Sequence, residues 1–157
     1  MKKQLSIQYE ETTIEDLADQ NLKDLIVETI AFAQNAYAPY SNFKVSAGLR
    51  LTDGTILKGT NVENASYPVS ICAERTLLAH AVSNYPALKI TDVVVYVDKD
   101  LPTPVPPCGL CRQTLSEVEQ RQQSPIRIIM VAKNGDILSV ESTVDLLPWS
   151  FNASYLA

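Results

Sequence analysis

The run KITDVVVYV at residues 89–97 limits the fold more than any other stretch of this chain. It is dominated by apolar and β-branched residues, so as a strand it is buried on both faces. Such a strand needs helices on both sides of its sheet. The neighbouring sequence supplies them. CAERTLLAHAVSNY (72–85) reads as a helix before it, and GLCRQTLSEVEQR (109–121) as a helix after it. IRIIMVA (126–132) follows as another strand, and strand–helix–strand units of this kind pair in parallel.

The rest of the chain completes the layers. Residues 14–38, IEDLADQNLKDLIVETIAFAQNAYA, place Leu17, Leu22, Leu25, Ile26, Ile30 and Ala33 at helical spacing and end before Pro39. FKVSAGLRL (43–51) and ILKGT (56–60) flank TDGT, a hairpin turn. IRIIMVA and ILSV (137–140) flank KNGD, a second hairpin. LSIQY (5–9) reads as a short edge strand, and STVDLL (142–147) as a short last helix stopped by Pro148. The expected architecture is α/β, a three-layer α/β/α arrangement around one mixed five-stranded sheet. With 157 residues, 1–157 is expected to be a single domain, with residues 1–13 as an N-terminal arm.

Charge narrows the partners. Thirteen Lys and Arg against eighteen Asp and Glu give a net charge of −5, with no basic block. Nucleic acid is therefore not the expected partner, whereas a small neutral molecule is compatible. No apolar run reaches membrane-spanning length, so no membrane partner is expected. MKKQLSIQYEETT alternates and turns acidic where the apolar core of a secretion signal belongs. Three cysteines, an odd number, do not suit a disulfide framework. A cytoplasmic location is expected.

Those cysteines carry the chemistry. Cys72 opens one helix, and Cys108 and Cys111 open the next. Helix N-termini present unpaired N–H groups and partial positive charge, which lower thiol pKa and favour thiolate. Thiolates bind zinc, and three protein ligands leave one tetrahedral position open, as catalytic sites do. His80 lies two helical turns beyond Cys72 and reads as packing elsewhere. Glu74, in the first helical turn, suits the dipole and can also serve as a general base beside the open position. Two rival classes exist. A thioredoxin-like oxidoreductase also sets C-x-x-C at a helix start, but leaves Cys72-Ala73-Glu74 unexplained. A structural zinc module needs a fourth ligand.

Cys72-Ala73-Glu74 followed by Pro107-Cys108-Gly109-Leu110-Cys111 resembles the C-x-E…P-C-x-x-C pattern of zinc deaminases. AYAPYSNFKV, NVENASY, CAERT, PCGLCRQ and LLPWSF together resemble the small homotetrameric zinc-dependent cytidine deaminases, in that family's order, over about residues 31–151. The resemblance implies a cytidine deaminase-like fold and one zinc ion per chain, held by Cys72, Cys108 and Cys111. It implies Glu74 as proton shuttle and a small nucleoside substrate. Asn61 and Glu63 are implied to bind the ribose hydroxyls, chiefly the 3′-OH. Phe43 is implied to pack on the nucleoside, and the Ala73 backbone to meet the pyrimidine edge. Ala65, Tyr67 and Phe151 are implied to reach a neighbouring subunit's site. Arg75 is implied to hydrogen-bond the thiolates and withdraw charge from the centre. The implied reaction is hydrolytic deamination of cytidine and 2′-deoxycytidine to the uridines and ammonia, in pyrimidine salvage, by attack of a zinc-generated hydroxide at C4.

Simpler readings stand beside several of these. Asn61 and Glu63 can shape the turn after a strand. Phe43 can be strand core, Arg75 a surface cation, and Glu74 a helix stabiliser. Trp149, Phe151 and Tyr155 can pack the C-terminus onto its own domain. The chain departs from the family pattern at Pro68-Val69-Ser70, after NVENASY, and at VSAGL, which bears on pocket shape and substrate preference.

Overall fold

The structure, a computed structural model, describes residues 1–156. In chain order the elements are β1 (Glu10–Thr13), α1 (Gln20–Phe32), β2 (Val45–Leu51), β3 (Ile56–Thr60), α2 (Ala73–Asn84), β4 (Ile90–Val97), α3 (Gly109–Gln122), β5 (Arg127–Val131) and β6 (Asp136–Val140). One mixed sheet runs β1-β6-β5-β4-β2-β3. β4 and β5 pair in parallel, with Val94 opposite Ile129, and every other neighbouring pair is antiparallel.

β4 shows why both faces need cover. Val94 and Tyr96 point to one side, with Ile129 and Val131, and pack against Leu22, Leu25 and Ile26 of α1. Val93 and Val95 point to the other side and pack against Leu77 and Leu78 of α2 and Leu115 of α3. Each such side chain contributes about 1.5–3 kcal/mol when fully buried. The sheet is thus sandwiched between α1 and the α2–α3 pair.

The sheet has six strands, not the expected five. The added strand is β1, which pairs with β6 from Glu10 opposite Ser139 to Thr13 opposite Asp136. The apolar alternation of Leu5, Ile7 and Tyr9 marks the wrong segment, and those side chains stay exposed. Edge pairing is made by backbone groups and needs no apolar side chain, so EETT gave no pattern to read. α1 also starts later than its apolar spacing indicates. The Asp19 carboxylate accepts from the Leu22 N–H at 3.2 Å and caps the helix there. The expected last helix is a single 3₁₀ turn, Thr143–Asp145.

Topology brings two helix starts together. α2 leads into β4, β4 leads into α3, and α3 leads into β5, which is parallel to β4. Both helices therefore run back against these strands, and both begin at the strands' carboxyl ends, where open α/β sheets bind ligands. Gly59 in β3 keeps α2 close. A Cβ there would lie 3.1 Å from the Leu77 Cβ and 3.2 Å from the Ala73 carbonyl oxygen.

Candidate active site

Cys72 is the N-cap of α2 and Cys108 the N-cap of α3, both with extended backbone and neither making a side-chain cap bond. The first-turn amides of both helices thus keep their partial positive charge beside the sulfurs. Cys111, one turn into α3, is fully buried. The Sγ atoms of Cys72 and Cys108 are 3.9 Å apart, and those of Cys108 and Cys111 are 3.5 Å apart. All three sulfurs lie within 4.8 Å of one another.

This spacing fits one zinc ion. Tetrahedral ligands at the usual Zn–S length of about 2.3 Å put sulfurs about 3.8 Å apart. The donor set fits as well, because three thiols cannot all ionise side by side without a cation. Hydrogen bonding from Cys111 lowers the Cys72 thiol to about 6, with Cys108 and Arg75 acting in the same direction. Cys111 is pushed far up by the bond it gives to Cys72 and by burial. A divalent cation reverses that cost and deprotonates coordinating thiols.

Glu74 is the second residue of α2 and is 4% exposed. Burial raises its pKa, opposed by hydrogen bonding to its own backbone and to Cys111 and by the charge of Arg75. It lines a cavity of about 540 Å³ that also reaches Cys72, Ala73 and Cys108. The walls include Val45, Val95, Val97, Val105 and Pro106. A buried carboxyl group whose pKa is raised is of the kind that general acid–base catalysis uses.

Other expected site residues line the same cavity. Phe43, Asn61, Glu63 and Tyr67 are on its wall. Asn61 and Glu63 also brace the loop before β2. The Asn61 amide donates to the Phe43 carbonyl at 2.8 Å and accepts from the Val45 N–H at 2.9 Å. Glu63 accepts from the Tyr40 N–H at 2.9 Å, the Ser41 N–H at 3.3 Å and the Ser41 hydroxyl. The Ser41 hydroxyl bond is the main cause that lowers the Glu63 pKa; desolvation opposes it, and the two backbone bonds add smaller lowering effects. The two residues thus brace the segment before β2 rather than the turn after their own strand, and each also lines the cavity.

Arg75 is half-buried and acts electrostatically on both Cys72 and Glu74, but no hydrogen bond from it to a thiol is present among the described residues. His80 stands apart on the surface, beside Asn84 and against the Tyr85 ring. Ala65 is exposed and does not line the cavity. Phe151 is 58% exposed, stacks on Tyr155 with centroids 5.8 Å apart, and is absent from its own chain's cavity. Sequence reasoning missed Tyr40 and Ser41, which hold Glu63, and Arg112, which holds the loop before Cys108. Ser41 is 22 residues from Glu63, so no local pattern marks the pair.

The family model for the cytidine and deoxycytidylate deaminase zinc-binding region matches residues 19–124. The chain belongs to that family. A cytidine deaminase from Halalkalibacterium halodurans is 40% identical to it over 129 residues, 82% of this chain and 92% of that protein. One from Sporosarcina psychrophila is 38% identical over 87% of this chain and 96% of that protein. The crystal structure of cytidine deaminase from Burkholderia pseudomallei aligns with a TM-score of 0.72 at 37% identity, covering 82% of this chain and 97% of that one. The deaminase region spans all three thiols and Glu74, whereas the N-terminal arm and Phe151 fall beyond residues 19–124. No helix among the described residues is long and apolar enough to cross a membrane.

Proposed function

We propose that this single-domain chain catalyses the hydrolytic deamination of cytidine and 2′-deoxycytidine to uridine and 2′-deoxyuridine, releasing ammonia. One observation carries the reading: three thiols within 4.8 Å of one another and a buried carboxyl group meet at one cavity of about 540 Å³, room enough for a nucleoside. Cys72, Cys108 and Cys111 would hold zinc, which when bound supplies the Lewis acidity that brings the pKa of water from 15.7 to about 7. Glu74 takes the proton of the attacking water and gives it to ring N3. The water oxygen adds to C4, which becomes tetrahedral. Glu74 then carries the second proton to the leaving amine, and the C–N bond breaks. Arg75 and the two helix N-termini draw excess negative charge from the thiolates.

The remaining residues orient the substrate. Asn61 keeps one N–H and one lone pair beyond its two loop bonds, and Glu63 keeps acceptor capacity, so both can take the ribose hydroxyls, chiefly the 3′-OH. Phe43 packs on the nucleoside and the Ala73 backbone meets the pyrimidine edge. Four copies assemble, with Ala65, Tyr67 and Phe151 of one subunit completing a neighbour's site. The exposed Tyr67, Val69, Ile71, Leu110 and Phe151 support that assembly. Free thiols suit a reducing cytoplasm, and the products place the reaction in pyrimidine salvage.

The test is loss of ultraviolet absorbance on mixing with cytidine, with zinc measured on the same sample. Deamination with about one zinc per chain is expected. Zinc-loaded protein that leaves both cytidine and 2′-deoxycytidine unchanged overturns the reading.

A further inference from the structure

We infer that Arg112 is a positioning residue that couples the thiol cluster to the C-terminal segment carrying Phe151. α3 buries Leu115 and Val118 against the sheet. A second stripe of the same helix is hydrogen-bonded to residues 142–151 along its length. Arg112 Nη1 donates to the Leu146 carbonyl at 2.9 Å, and Gln113 Nε2 donates to the Phe151 carbonyl at 2.8 Å. Ser116 bonds the Ser150 hydroxyl at 3.0 Å. Glu119 accepts from the Ser142 hydroxyl at 2.6 Å and the Thr143 N–H at 3.0 Å.

Apart from Leu146, which packs against the core, and the buried Thr143, side-chain bonds from α3 are what hold the segment. Its regular structure is one 3₁₀ turn, Thr143–Asp145, and Trp149 is 88% exposed. Trp149 has a φ of 55°, in the left-handed region. A bulky residue keeps that conformation only where its flanks are fixed. Here the fixed flanks are Leu146 on one side and Ser150 and Phe151 on the other, all three held by α3.

Arg112 alone in this stripe also reaches the metal turn. Its Nε donates to the Pro107 carbonyl at 2.7 Å, and Pro107 immediately precedes Cys108. One planar guanidinium therefore bonds the carbonyl leading into the thiol turn and the carbonyl leading towards Phe151. Its rigid fork fixes both directions at once, which a flexible ammonium cannot do. A shift of the Cys108 turn that keeps the Pro107 bond moves the guanidinium, and with it the contact to the Leu146 carbonyl. The structural coupling stands on these contacts, and its consequence for turnover rests on the proposed role of Phe151.

Trp149 is the only tryptophan, and it is exposed but held, so the anisotropy of intrinsic fluorescence reports the mobility of this segment. Anisotropy is measured on the full chain at matched oligomeric state, zinc-loaded and after zinc withdrawal by a chelator. In the wild type, withdrawal is expected to lower the anisotropy by about a third or more as the held population falls. Zinc-loaded Arg112→Ala is expected to show that lowered value already, with little further change on withdrawal. Gln113→Ala cuts one anchor but not the Pro107 link, so it should stay zinc-responsive. Arg112→Lys should be intermediate. Arg112→Ala should also raise KM for cytidine about tenfold at unchanged zinc content, the mark of lost substrate closure rather than lost chemistry.

Wild-type anisotropy in zinc-loaded Arg112→Ala, or a wild-type value insensitive to zinc withdrawal, overturns the coupling. If Arg112→Ala does not fold or load zinc, Arg112→Lys decides, and fully wild-type anisotropy in that variant overturns it too. Altered anisotropy with an unchanged KM upholds the coupling and instead overturns the role proposed for Phe151.

Discussion

The Cys72 and Cys108 sulfurs lie 3.9 Å apart although 36 positions separate them in the chain. The approach follows from topology: α2 and α3 flank β4 in sequence and both begin at its carboxyl end. Two N-caps without side-chain cap bonds then face one point in space, and a thiol at each cap is better placed for a metal than for a helix.

The metal prediction carries a pH dependence. The unliganded cluster holds a proton on Cys111, pushed up by its bond to Cys72 and by burial, while Cys72 is lowered to about 6. Binding zinc must release the Cys111 proton at any ordinary pH, so affinity should fall at least about tenfold for each unit of acidification. Below about 6, Cys72 also takes up a proton and the dependence should steepen. Competition with a chelator of known proton affinity, run between about pH 5 and 8, checks this. An affinity flat across that range counts against thiolate ligation. Cys72→Ala should lose zinc and deaminase activity together.

Glu74→Gln separates chemistry from stability. Without a proton carrier, turnover of zinc-loaded protein should fall at least about a hundredfold. Stability should move the other way. Burial raises the Glu74 pKa in the folded state, so its contribution is fully present below the ordinary glutamate pKa and is lost as pH rises through the raised value. A neutral isostere escapes that loss. Zinc-free Glu74→Gln should melt at a higher temperature than zinc-free wild type near neutral pH, with the difference shrinking in acid. Near-normal turnover in the variant would return Glu74 to a helix-stabilising role.

The sugar prediction uses Asn61. Its amide holds the Phe43 carbonyl and the Val45 N–H, so Asn61→Ala leaves both without that partner and should cost about 1–3 kcal/mol of stability by denaturant melt. If its remaining donor and acceptor also meet the 3′-OH, the variant should lose more affinity for cytidine than for 3′-deoxycytidine. Equal losses on the two nucleosides would leave Asn61 a loop brace only.

How much of this was written in the sequence depends on the range of the contact. The both-faces burial of β4 was legible because it needs only the composition of one run. The thiol cluster was legible because helix starts can be read locally and the topology of flanking helices is restricted. β1 was not, since edge pairing through backbone amides leaves no mark on EETT. The Glu63 brace on Tyr40 and Ser41 was not, because it joins two irregular segments with no periodicity to connect them. Arg112 was hidden for a related reason. It follows Cys111 in the PCGLCRQ motif, but its partners are backbone carbonyls 5 and 34 residues away, and a carbonyl has no sequence signature.

The last prediction concerns the sharing of sites. Phe151 is exposed on its own subunit and does not line that subunit's cavity, yet it belongs to a segment anchored by five α3 side chains. An aromatic ring held outward at that effort suits a neighbour's pocket, where it would cover the pyrimidine and exclude water. Mixed oligomers test the idea. Glu74→Ala lacks the proton carrier and Phe151→Ala lacks the cover, so each alone should be poor. Subunits of the two, unfolded and refolded together in equal amounts, assort at random. With each site built across an interface of a closed symmetric oligomer, about a quarter of sites should combine an intact Glu74 with a neighbour's intact Phe151. Activity should then exceed the mean of the two separate preparations. A mixture that gives only that mean, with subunit exchange verified by mass, places the action of Phe151 within its own chain.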